Sequence, residues 1–457
     1  MSTDNIKTYI AGLTDRGLVR KNNEDSFTIV DPMTGDFIGT VAGLDQPQKE
    51  HRLLIVVSDG MGGTEGGEVA SELTVETIKS ETTKLSRRLS PQSRLEAAVE
   101  EANSVVWNRQ KETPALAGMG ATVTAALIEA GTVYIAEVGD SRAYVIRRDR
   151  IKQITTDQTM VQALIDAGAL TPETAERSPM RNMLLQAIGS EEFLQIAVCS
   201  FNLQKGDILL LCSDGLHNKL KATEIRDIIL SHHDIQDASK ALVEEAKRRG
   251  GDDNITVVLS RFEGDGLQDS RNLSKITDAL HIISRFDPHQ GATPKPKRQV
   301  RAATYDDLVA TAAIDHFAQT EAQKKALMQL QDYGEYIVYR KGDALVVQGE
   351  QSDCHFWLVS GRFRVEIRKA EGRSETVTFI VPATDLRLDD EIRGTLEYVR
   401  VKRQFFTASP GMLNNTPRGA TIVCEDDTNA AVRVPKPIYE KIAVILGEKF
   451  ELTVRHN

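Results

Sequence analysis

Five aspartates beside Gly or Asn could perform the chemistry of this chain. Each adjoins an apolar, β-type segment: Asp59 in LLIVVSDGMGG, Asp140 in TVYIAEVGDSRAY, Asp214 in DILLLCSDGL, and Asp252 and Asp253 in GGDDNITVVL. Carboxylates are hard donors that suit Mg²⁺ or Mn²⁺, and several in one place repel one another unless cations neutralise them. Two such ions can lower the pKa of a shared water and hold a phosphate for in-line attack. A single Asp-Gly after a strand is also a common hairpin turn, so the prediction of a metal site rests on their joint occurrence.

These aspartates need strands that bring them to a common sheet edge, and the first 262 residues supply such strands. Val-, Ile- and Thr-rich segments predict β-strands at Thr8–Leu13, Ser26–Val30, Leu53–Val57, Ala121–Glu129, Thr132–Val138, Ala143–Arg147, Ile208–Cys212 and Ile255–Ser260. Helical periodicity predicts helices at Glu68–Leu89, Pro91–Glu112, Asp157–Gly168, Thr171–Arg177 and Glu224–Arg249. Because blocks of strands are separated by helical pairs, the pattern favours an α+β sandwich of antiparallel sheets with helices outside.

Composition limits the classes of protein that remain. With 457 residues, 40% apolar and 27% charged, the chain has ordinary globular composition and a length typical of two or three domains. Its net charge of -10 gives no indication of nucleic-acid binding. The longest apolar runs, Leu53–Val57 and Ile208–Cys212, are too short for a membrane span, and the N-terminal sequence lacks the pattern of a secretory signal. Four scattered cysteines, never spaced as CxxC, argue against a disulfide framework and a zinc ribbon, so we expect a cytoplasmic protein.

The chain is predicted to divide at two places. Residues 1–262 read as one dense domain, and residues 305–457 as a second, which opens with helix-like sequence at Tyr305–Gln331 and ends with a helix at Lys436–Leu446. Between them, residues 263–304 are predicted to form a helix over Leu273–Phe286 and then a basic, Pro-containing linker.

Seven sequence blocks spread over residues 8–262 stand in the order known from one family. They are TDRGLVRKNNEDSF (14–27), VVSDGMGGTEGGEVAS (56–71), GMGATVTAALI (118–128), VYIAEVGDSRAYVI (133–146), ALTPETAERSPMRNMLLQAIG (169–189), LLLCSDGL (209–216) and GGDDNITVVL (250–259). With these blocks the domain resembles protein phosphatase 2C, a family of metal-dependent protein Ser/Thr phosphatases, in its bacterial form. The resemblance implies that family's β-sandwich flanked by helices.

The resemblance also implies a metal-ligand set, residue by residue. Asp59 corresponds to the Asp that bridges two catalytic Mn²⁺ or Mg²⁺ ions, and the Gly60 carbonyl to a ligand of the second ion. Asp214 and Asp253 correspond to the remaining ligands of the first ion. Asp140 corresponds to the Asp that helps to bind a third, weaker ion in bacterial members.

Three further residues belong to the implied site. Glu24 and Asp25 resemble the acidic pair that holds metal-bound waters, and Arg20 stands where the family keeps the Arg that binds the substrate phosphate. A guanidinium suits this role because its planar fork can hold two phosphate oxygens at once. The alternative for Arg20 is a surface ion pair.

The implied reaction is hydrolysis of phosphoserine or phosphothreonine by attack of a metal-bridging water, without a covalent intermediate. The chain has no HCxxxxxR phosphate loop, which agrees with this chemistry. Eukaryotic members have a His after the bridging Asp-Gly that can protonate the leaving alcohol. Here Met61 takes that place, as in bacterial members, so the general acid is unassigned.

Residues 157–187 resemble the mobile flap beside the active site of the family. Arg177, Arg181 and Asn182 could contact substrate there, or could be a helix cap and surface charges. Near the start of the flap the family often has Asp-His-Ser, where this chain has Asp-Gln-Thr at 157–159. We expect this difference to alter substrate fit more than chemistry.

The second domain resembles the cyclic nucleotide-binding domains. Residues 339–367 match their first half, including turn glycines at Gly342, Gly349 and Gly361, which predicts a β-roll. TPRGATI (416–422) resembles their phosphate-binding cassette and places Arg418 where an Arg binds the cyclic phosphate. The cassette's ribose-binding Glu is absent, and loss of such a hydrogen-bonding carboxylate weakens binding. We therefore favour a degenerate domain for another ligand or a protein partner over one that binds cAMP or cGMP.

Together these features predict a cytoplasmic bacterial protein Ser/Thr phosphatase with a C-terminal domain that regulates, dimerises or localises it. Its expected partners are phosphorylated Ser/Thr proteins and a Ser/Thr kinase. A phosphatase of small phosphoesters is a rival hypothesis. Two others are a ligand sensor centred on the C-terminal domain and a non-catalytic phosphoprotein-binding module, although the latter would usually have lost Asp59, Asp214 or Asp253.

Overall fold

The computed structural model shows two compact units. The first comprises Met1–Ser86 and Arg94–Pro294, and the second comprises Arg87–Ser93 and Lys295–Asn457. The structure describes residues 5–47, 50–62, 66–85, 89–175, 177–268, 280–292, 299–303, 307, 320–328, 334–346, 348, 354–368, 374–382, 400–404, 420–436 and 438. Arg418, Gly349 and most of the helices predicted at Tyr305–Gln331 and Lys436–Leu446 lie outside these residues.

The strands of the first unit form two antiparallel sheets. In chain order the described strands are β1 (Asn5–Asp15), β2 (Asp25–Val30), β3 (Val41–Pro47), β4 (Arg52–Met61), β5 (Gly120–Ala121), β6 (Val123–Glu129), β7 (Thr132–Val138), β8 (Arg142–Arg147), β9 (Arg150–Gln153), β10 (Ala197–Asn202), β11 (Ile208–Cys212), β12 (Ile255–Glu263) and β13 (His281–Ser284). One sheet has the order β3-β1-β12-β11-β8-β9 and the other β13-β10-β7-β6-β4-β2, with β5 added beside β4.

Helices cover the outer faces of both sheets. The described helices of the first unit are α1 (Gly66–Lys84), α2 (Pro91–Glu112), α3 (Met160–Asp166), α4 (Pro172–Ala175), α5 (Asp214–His217), α6 (Ala222–Leu230) and α7 (Ile235–Arg248). Residues of α1 and α2 pack with the outer face of the sheet that contains β4, and residues of α6 and α7 pack with the outer face of the sheet that contains β11.

Strand β4 shows why the core has this arrangement. Its residues Ile55 and Val57 belong to the cluster between the two sheets, while Leu54 and Val56 belong to the cluster under α1 and α2. Because both faces of the strand are buried, its sequence is a continuous apolar run rather than an alternating one. Full burial of each such side chain stabilises the fold by about 1.5–3 kcal/mol. The α+β sandwich with outer helices is therefore confirmed for the first unit.

The single helix predicted at Glu224–Arg249 is wrong, because the chain forms two helices there. Helix α6 ends at Leu230, and α7 begins after Asp234. The Asp234 carboxylate accepts from the backbone N of Gln236 at 2.7 Å and of Asp237 at 3.2 Å. An N-cap of this kind satisfies N–H groups that have no partner within the helix, so it favours a new start over continuation.

The helix predicted at Leu273–Phe286 is also wrong where the structure describes it. His281–Ser284 is strand β13, which pairs with β10 at the edge of its sheet. Ile282 and Ile283 are β-branched and favour extended backbone, and the open edge of β10 supplies the pairing partners. In the segment predicted as a linker, Gln299–Ala302 likewise forms a strand.

The described part of the second unit consists mainly of short strands. Those described are β14 (Gln299–Ala302), β15 (Glu335–Tyr339), β16 (Ala344–Val346), β17 (Cys354–Ser360), β18 (Phe363–Arg368), β19 (Ser374–Pro382), β20 (Arg400–Gln404), β21 (Thr421–Cys424) and β22 (Asn429–Pro435), with one helix, α8 (Glu321–Met328). They form sheets of order β14-β15-β22-β17 and β16-β21-β18-β19-β20. Across both units, the described helices include none that is long and apolar enough to cross a membrane.

Candidate active site

Five carboxylates meet where strands of the two sheets of the first unit end. Asp59 lies near the end of β4, and the antiparallel register places it opposite Asp25 at the start of β2. Asp140 follows β7 by two residues, Asp214 opens α5 just after β11, and Asp253 precedes β12. Asp25, Asp140 and Asp214 are at most 9% exposed, whereas Asp59 and Asp253 are partly exposed. The structure thus brings together the aspartates that the sequence placed on separate strands.

The electrostatics of this group follow from burial and repulsion. Burial is the main cause that raises the pKa of Asp25 to about 7, of Asp214 to about 6 and of Asp140 to about 8, and neighbouring carboxylates add to each rise. The pKa of Asp59 also lies well above its ordinary value, because the surrounding protein desolvates its carboxyl and because the charges of Asp25, Asp214, Asp140 and Asp253 repel it. A cation is the ordinary means of keeping such a group ionised.

Two of these carboxylates have an oxygen that accepts no hydrogen bond from any residue that the structure describes. Asp25 accepts from Ser213 Oγ and Thr256 Oγ1 through Oδ2, both at 2.7 Å, but its Oδ1 is buried without a hydrogen-bond partner. Asp214 accepts from Asn218 Nδ2 at 3.0 Å through Oδ2, and its Oδ1 is likewise buried without a partner. Buried acceptors of this kind are costly, and two together fit a hard divalent cation.

Asp253 is bound by Arg20 rather than by this group. Arg20 Nη2 donates to Asp253 Oδ2 at 2.7 Å, and Arg20 Nε donates to the Asp252 carbonyl at 3.3 Å. Within the described ranges, no three His, Cys, Asp or Glu side chains are arranged to hold a metal ion as they stand. The donor chemistry of Asp59, Asp214 and Asp253 fits Mn²⁺ or Mg²⁺.

The backbone at Gly60 is packed too closely for any side chain. A Cβ atom there would lie 2.0 Å from the Gly67 carbonyl oxygen and 2.7 Å from that of Glu24, and Gly60 N donates to the Glu24 carbonyl at 3.1 Å. The end of β4 is therefore held between Glu24 and the first turn of α1. The Glu24 carboxyl lies against Gly67, and burial raises its pKa against the opposing charge of Arg20.

Asp252, the fifth candidate from the sequence, lies at the solvent-exposed edge of the carboxylate group, here called the rim, beside Arg20. Its side chain is exposed and forms an ion pair with Lys219. A hydrogen bond from Lys219 is the main cause that lowers the pKa of Asp252, and the charge of Arg181 in the flap segment also contributes. The three flap residues that could contact substrate are all exposed: Arg177, Arg181 and Asn182. Of these, Arg181 lies near the rim, because its charge acts on Asp252.

Sequence reasoning missed the residues that hold the carboxylates in place. Ser213 and Thr256 fix Asp25, and the only signal for them was their position beside the Asp motifs. His217 lies one turn after Asp214 and bonds through Nε2 to the Asp140 carbonyl at 3.0 Å. Burial lowers the pKa of His217 to about 3, so the ring is neutral at physiological pH and is poorly suited to be the missing general acid.

We compare the stability of Asp25→Asn with that of the unsubstituted chain, with a chelator present to remove metal ions. We expect the stability of the variant, relative to that of the unsubstituted chain, to increase as pH rises. Asp25 has a pKa near 3.8 when unfolded and about 7 when folded. Between these values the folded state holds more protons, so the contribution of Asp25 to stability falls as pH rises through this window. Melting temperatures of both proteins at pH 5, 6.5 and 8 measure the effect, because an Asn does not titrate. A difference that is constant across this range, or that shrinks with rising pH, would contradict the prediction.

A family model and a relative of known function indicate the same family for this chain. The protein phosphatase 2C model matches residues 42–247. The Listeria welshimeri protein called serine/threonine phosphatase stp is 34% identical over 249 residues, which span 54% of this chain and 92% of that protein.

One solved structure agrees with this match. A crystal structure of a bacterial serine phosphatase is 32% identical, covers 56% of this chain and 98% of that one, and superposes with a TM-score of 0.50. The catalytic domain of the phosphatase PstP, solved in complex with two manganese ions, is 32% identical over 56% of this chain and 99% of its own, with a TM-score of 0.46. Because the chain is 34% identical to the Listeria welshimeri protein and covers 92% of it, it belongs to the protein phosphatase 2C family, and its N-terminal half is a serine/threonine phosphatase domain of that type.

Proposed function

We propose that the chain is a metal-dependent phosphatase that removes phosphate from phosphoserine and phosphothreonine in proteins. The observation that carries this proposal is the group of carboxylates with partnerless oxygens on Asp25 and Asp214, beside a half-exposed Arg20. The carboxylates provide cation ligands, and the guanidinium provides a phosphate ligand at the same rim. The four cysteines are all unpaired and buried, which supports a cytoplasmic location.

Each residue has a proposed task. Asp59, the Gly60 carbonyl, Asp214 and Asp253 would hold two divalent cations, and Asp140 would help to hold a third. When bound, the cations supply an activated water and neutralise charge on the phosphoryl group. Arg20 orients the phosphate, and Ser213 and Thr256 hold the Asp25 carboxylate so that its free oxygen faces the site.

Hydrolysis of a phosphothreonine peptide by the full chain, in Mn²⁺ and in chelator, tests the proposal. We expect turnover that requires the cation and that is lost in chelator. If the protein instead binds the phosphopeptide without hydrolysing it at saturating Mn²⁺, it is a binding module and the proposal fails. Comparison with small phosphoesters decides whether proteins are the preferred substrates.

Leu18→Ser is expected to raise KM for a phosphopeptide about fivefold and to leave KM for p-nitrophenyl phosphate unchanged. Leu18 and Val19 are 64% and 66% exposed directly before Arg20, and a bond from Leu18 N to the Gly251 carbonyl at 2.7 Å fixes their loop. An apolar contact of this size contributes about 1 kcal/mol to peptide binding. Val41→Ser, at an exposed position in β3, is the matched control. Equal changes for both substrates would show that Leu18 acts on the loop and not on the peptide.

We propose a regulatory role for the second unit, whose strands form two sheets without an evident catalytic group among the described residues. Turnover of the full chain with and without cAMP tests whether a cyclic nucleotide is the regulator. An unchanged rate would favour another ligand or a protein, such as the kinase that phosphorylates the substrates.

A further inference from the structure

Gln158 binds the loop that carries Asp140. Its Oε1 accepts from Gly139 N at 2.8 Å, and its own backbone N donates to the Gly139 carbonyl at 2.9 Å. The side chain is 1% exposed, so water does not compete for these bonds. Gln158 therefore fixes the backbone position of the residue directly before Asp140.

A second glutamine continues this contact away from the site. Gln186 Nε2 donates to Gln158 Oε1 at 2.8 Å and to the Gln195 carbonyl at 2.6 Å. Gln186 Oε1 accepts from Gln195 N at 3.1 Å. Gln186 is also buried, and both ends of its amide are used.

The third glutamine reaches the last described segment of the first unit. Gln195 Oε1 accepts from Asp287 N at 3.0 Å, and Gln195 Nε2 donates to the Asp287 carbonyl at 3.1 Å and to the Gln290 carbonyl. Gln290 is five residues before Lys295, where the chain enters the second unit. Hydrogen bonds on both sides of Gln195, linked through the covalent structure of that residue from its side chain to its backbone, thus join this segment to Gly139.

We propose that Gln158, Gln186 and Gln195, here called the amide chain, transmit the position of residues 287–290 to the Asp140 loop. Residues 287–290 hold the Gln195 side chain and Gln186 holds the Gln195 backbone. Displacement of the outer segment therefore moves Gln195 and weakens the hold of Gln186 on Gln158. Buried polar networks couple their members in this way because unsatisfied groups are costly there. The three glutamines are positioning residues, and the segment before the second unit is the place where a signal would enter.

Hydrogen exchange of the full chain tests the path without reference to activity. In Gln195→Leu, we expect the Gly139 N–H to exchange about tenfold faster, since its acceptor is less firmly held. Asn103→Leu is the matched control: Asn103 is a buried amide whose hydrogen bonds go to the carbonyls of Glu191 and Glu192 and to the N of Gly189, and not to the three glutamines. Unchanged exchange at Gly139 in Gln195→Leu, or an equal rise in Asn103→Leu, would overturn the proposal.

A double-mutant cycle tests the consequence for catalysis, which rests on the proposed function. Gln158→Leu is expected to lower kcat about tenfold and Gln195→Leu about threefold, with KM changed less than about twofold. The double variant should be no slower than Gln158→Leu alone, because both remove one path. If the two losses of kcat multiply in the double variant, the two glutamines act independently, and the proposal of a single path is refuted.

Failure of the proposed function can be distinguished from failure of the amide-chain proposal. If the unsubstituted chain hydrolyses no phosphopeptide, the proposed function fails, and exchange at Gly139 still decides the amide chain. Should Gln195→Leu not fold, Gln195→Met removes the same side-chain amide while keeping the length of the side chain, and it carries the same test.

Discussion

Asp59→Asn is expected to lower kcat by about 10³-fold or more, equivalent to about 4 kcal/mol of transition-state stabilisation. The reason is that Asp59 lies among Asp25, Asp140, Asp214 and Asp253 and would bridge both cations. Without its charge the site loses its shared ligand. Steady-state hydrolysis of a phosphothreonine peptide at saturating Mn²⁺ measures the loss, and calorimetric titration with Mn²⁺ should show weaker binding.

We expect Asp59→Asn to fold like the unsubstituted chain. Because burial and neighbouring charges raise the pKa of Asp59, removal of its carboxylate relieves repulsion, and the melting temperature in chelator should stay the same or rise. Asp45→Asn makes the same chemical change at an exposed ion pair with Lys7 and should leave kcat within about twofold. If Asp59→Asn kept more than a tenth of the turnover, the assigned ligand set would be wrong.

Arg20→Ala is expected to lower kcat/KM by about 10²-fold, the typical effect of losing one group that stabilises charge in the transition state. Arg20 bonds Asp253 through Nη2 but is half exposed, so the exposed part of its guanidinium can contact a phosphate at the rim. Arg20→Lys should recover little of the loss, because an ammonium cannot hold two oxygens in a planar fork. The constant for inhibition by inorganic phosphate should rise in both variants.

Because Arg20 also contacts Asp253, a loss of activity in Arg20→Ala has a second possible explanation, which is that Arg20 positions Asp253. The same variants distinguish this role from phosphate binding. If Arg20 served only to position Asp253, Arg20→Ala would change Mn²⁺ affinity and leave phosphate inhibition unaltered. Arg16→Ala is the control in the same loop, where Arg16 donates to the Lys21 carbonyl, and we expect it to alter kcat/KM less than about twofold. A loss equal to that of Arg20→Ala would assign the effect to the loop as a whole.

The α+β class and most strands and helices of the first unit were predictable because each depends on local pattern. Continuous apolar runs such as Leu53–Val57 require burial on both faces, and Pro91–Glu112 forms the predicted helix over its full length. Prediction failed where a partner distant in sequence decided the outcome. His281–Ser284 became a strand because β10 had an open edge, and the helix break near Asp234 depended on a cap that periodicity does not register.

For the site, the sequence by itself determined which carboxylates and which arginine are available, because each sits beside a strand in a recognisable block. Only the tertiary structure decided how they are held. Ser213 and Thr256 reach Asp25 across more than 180 residues, and Gln158, Gln186 and Gln195 meet because the flap segment folds back against the Asp140 loop. Hydrogen bonds between distant residues follow from the packing of the two sheets, which no local pattern specifies.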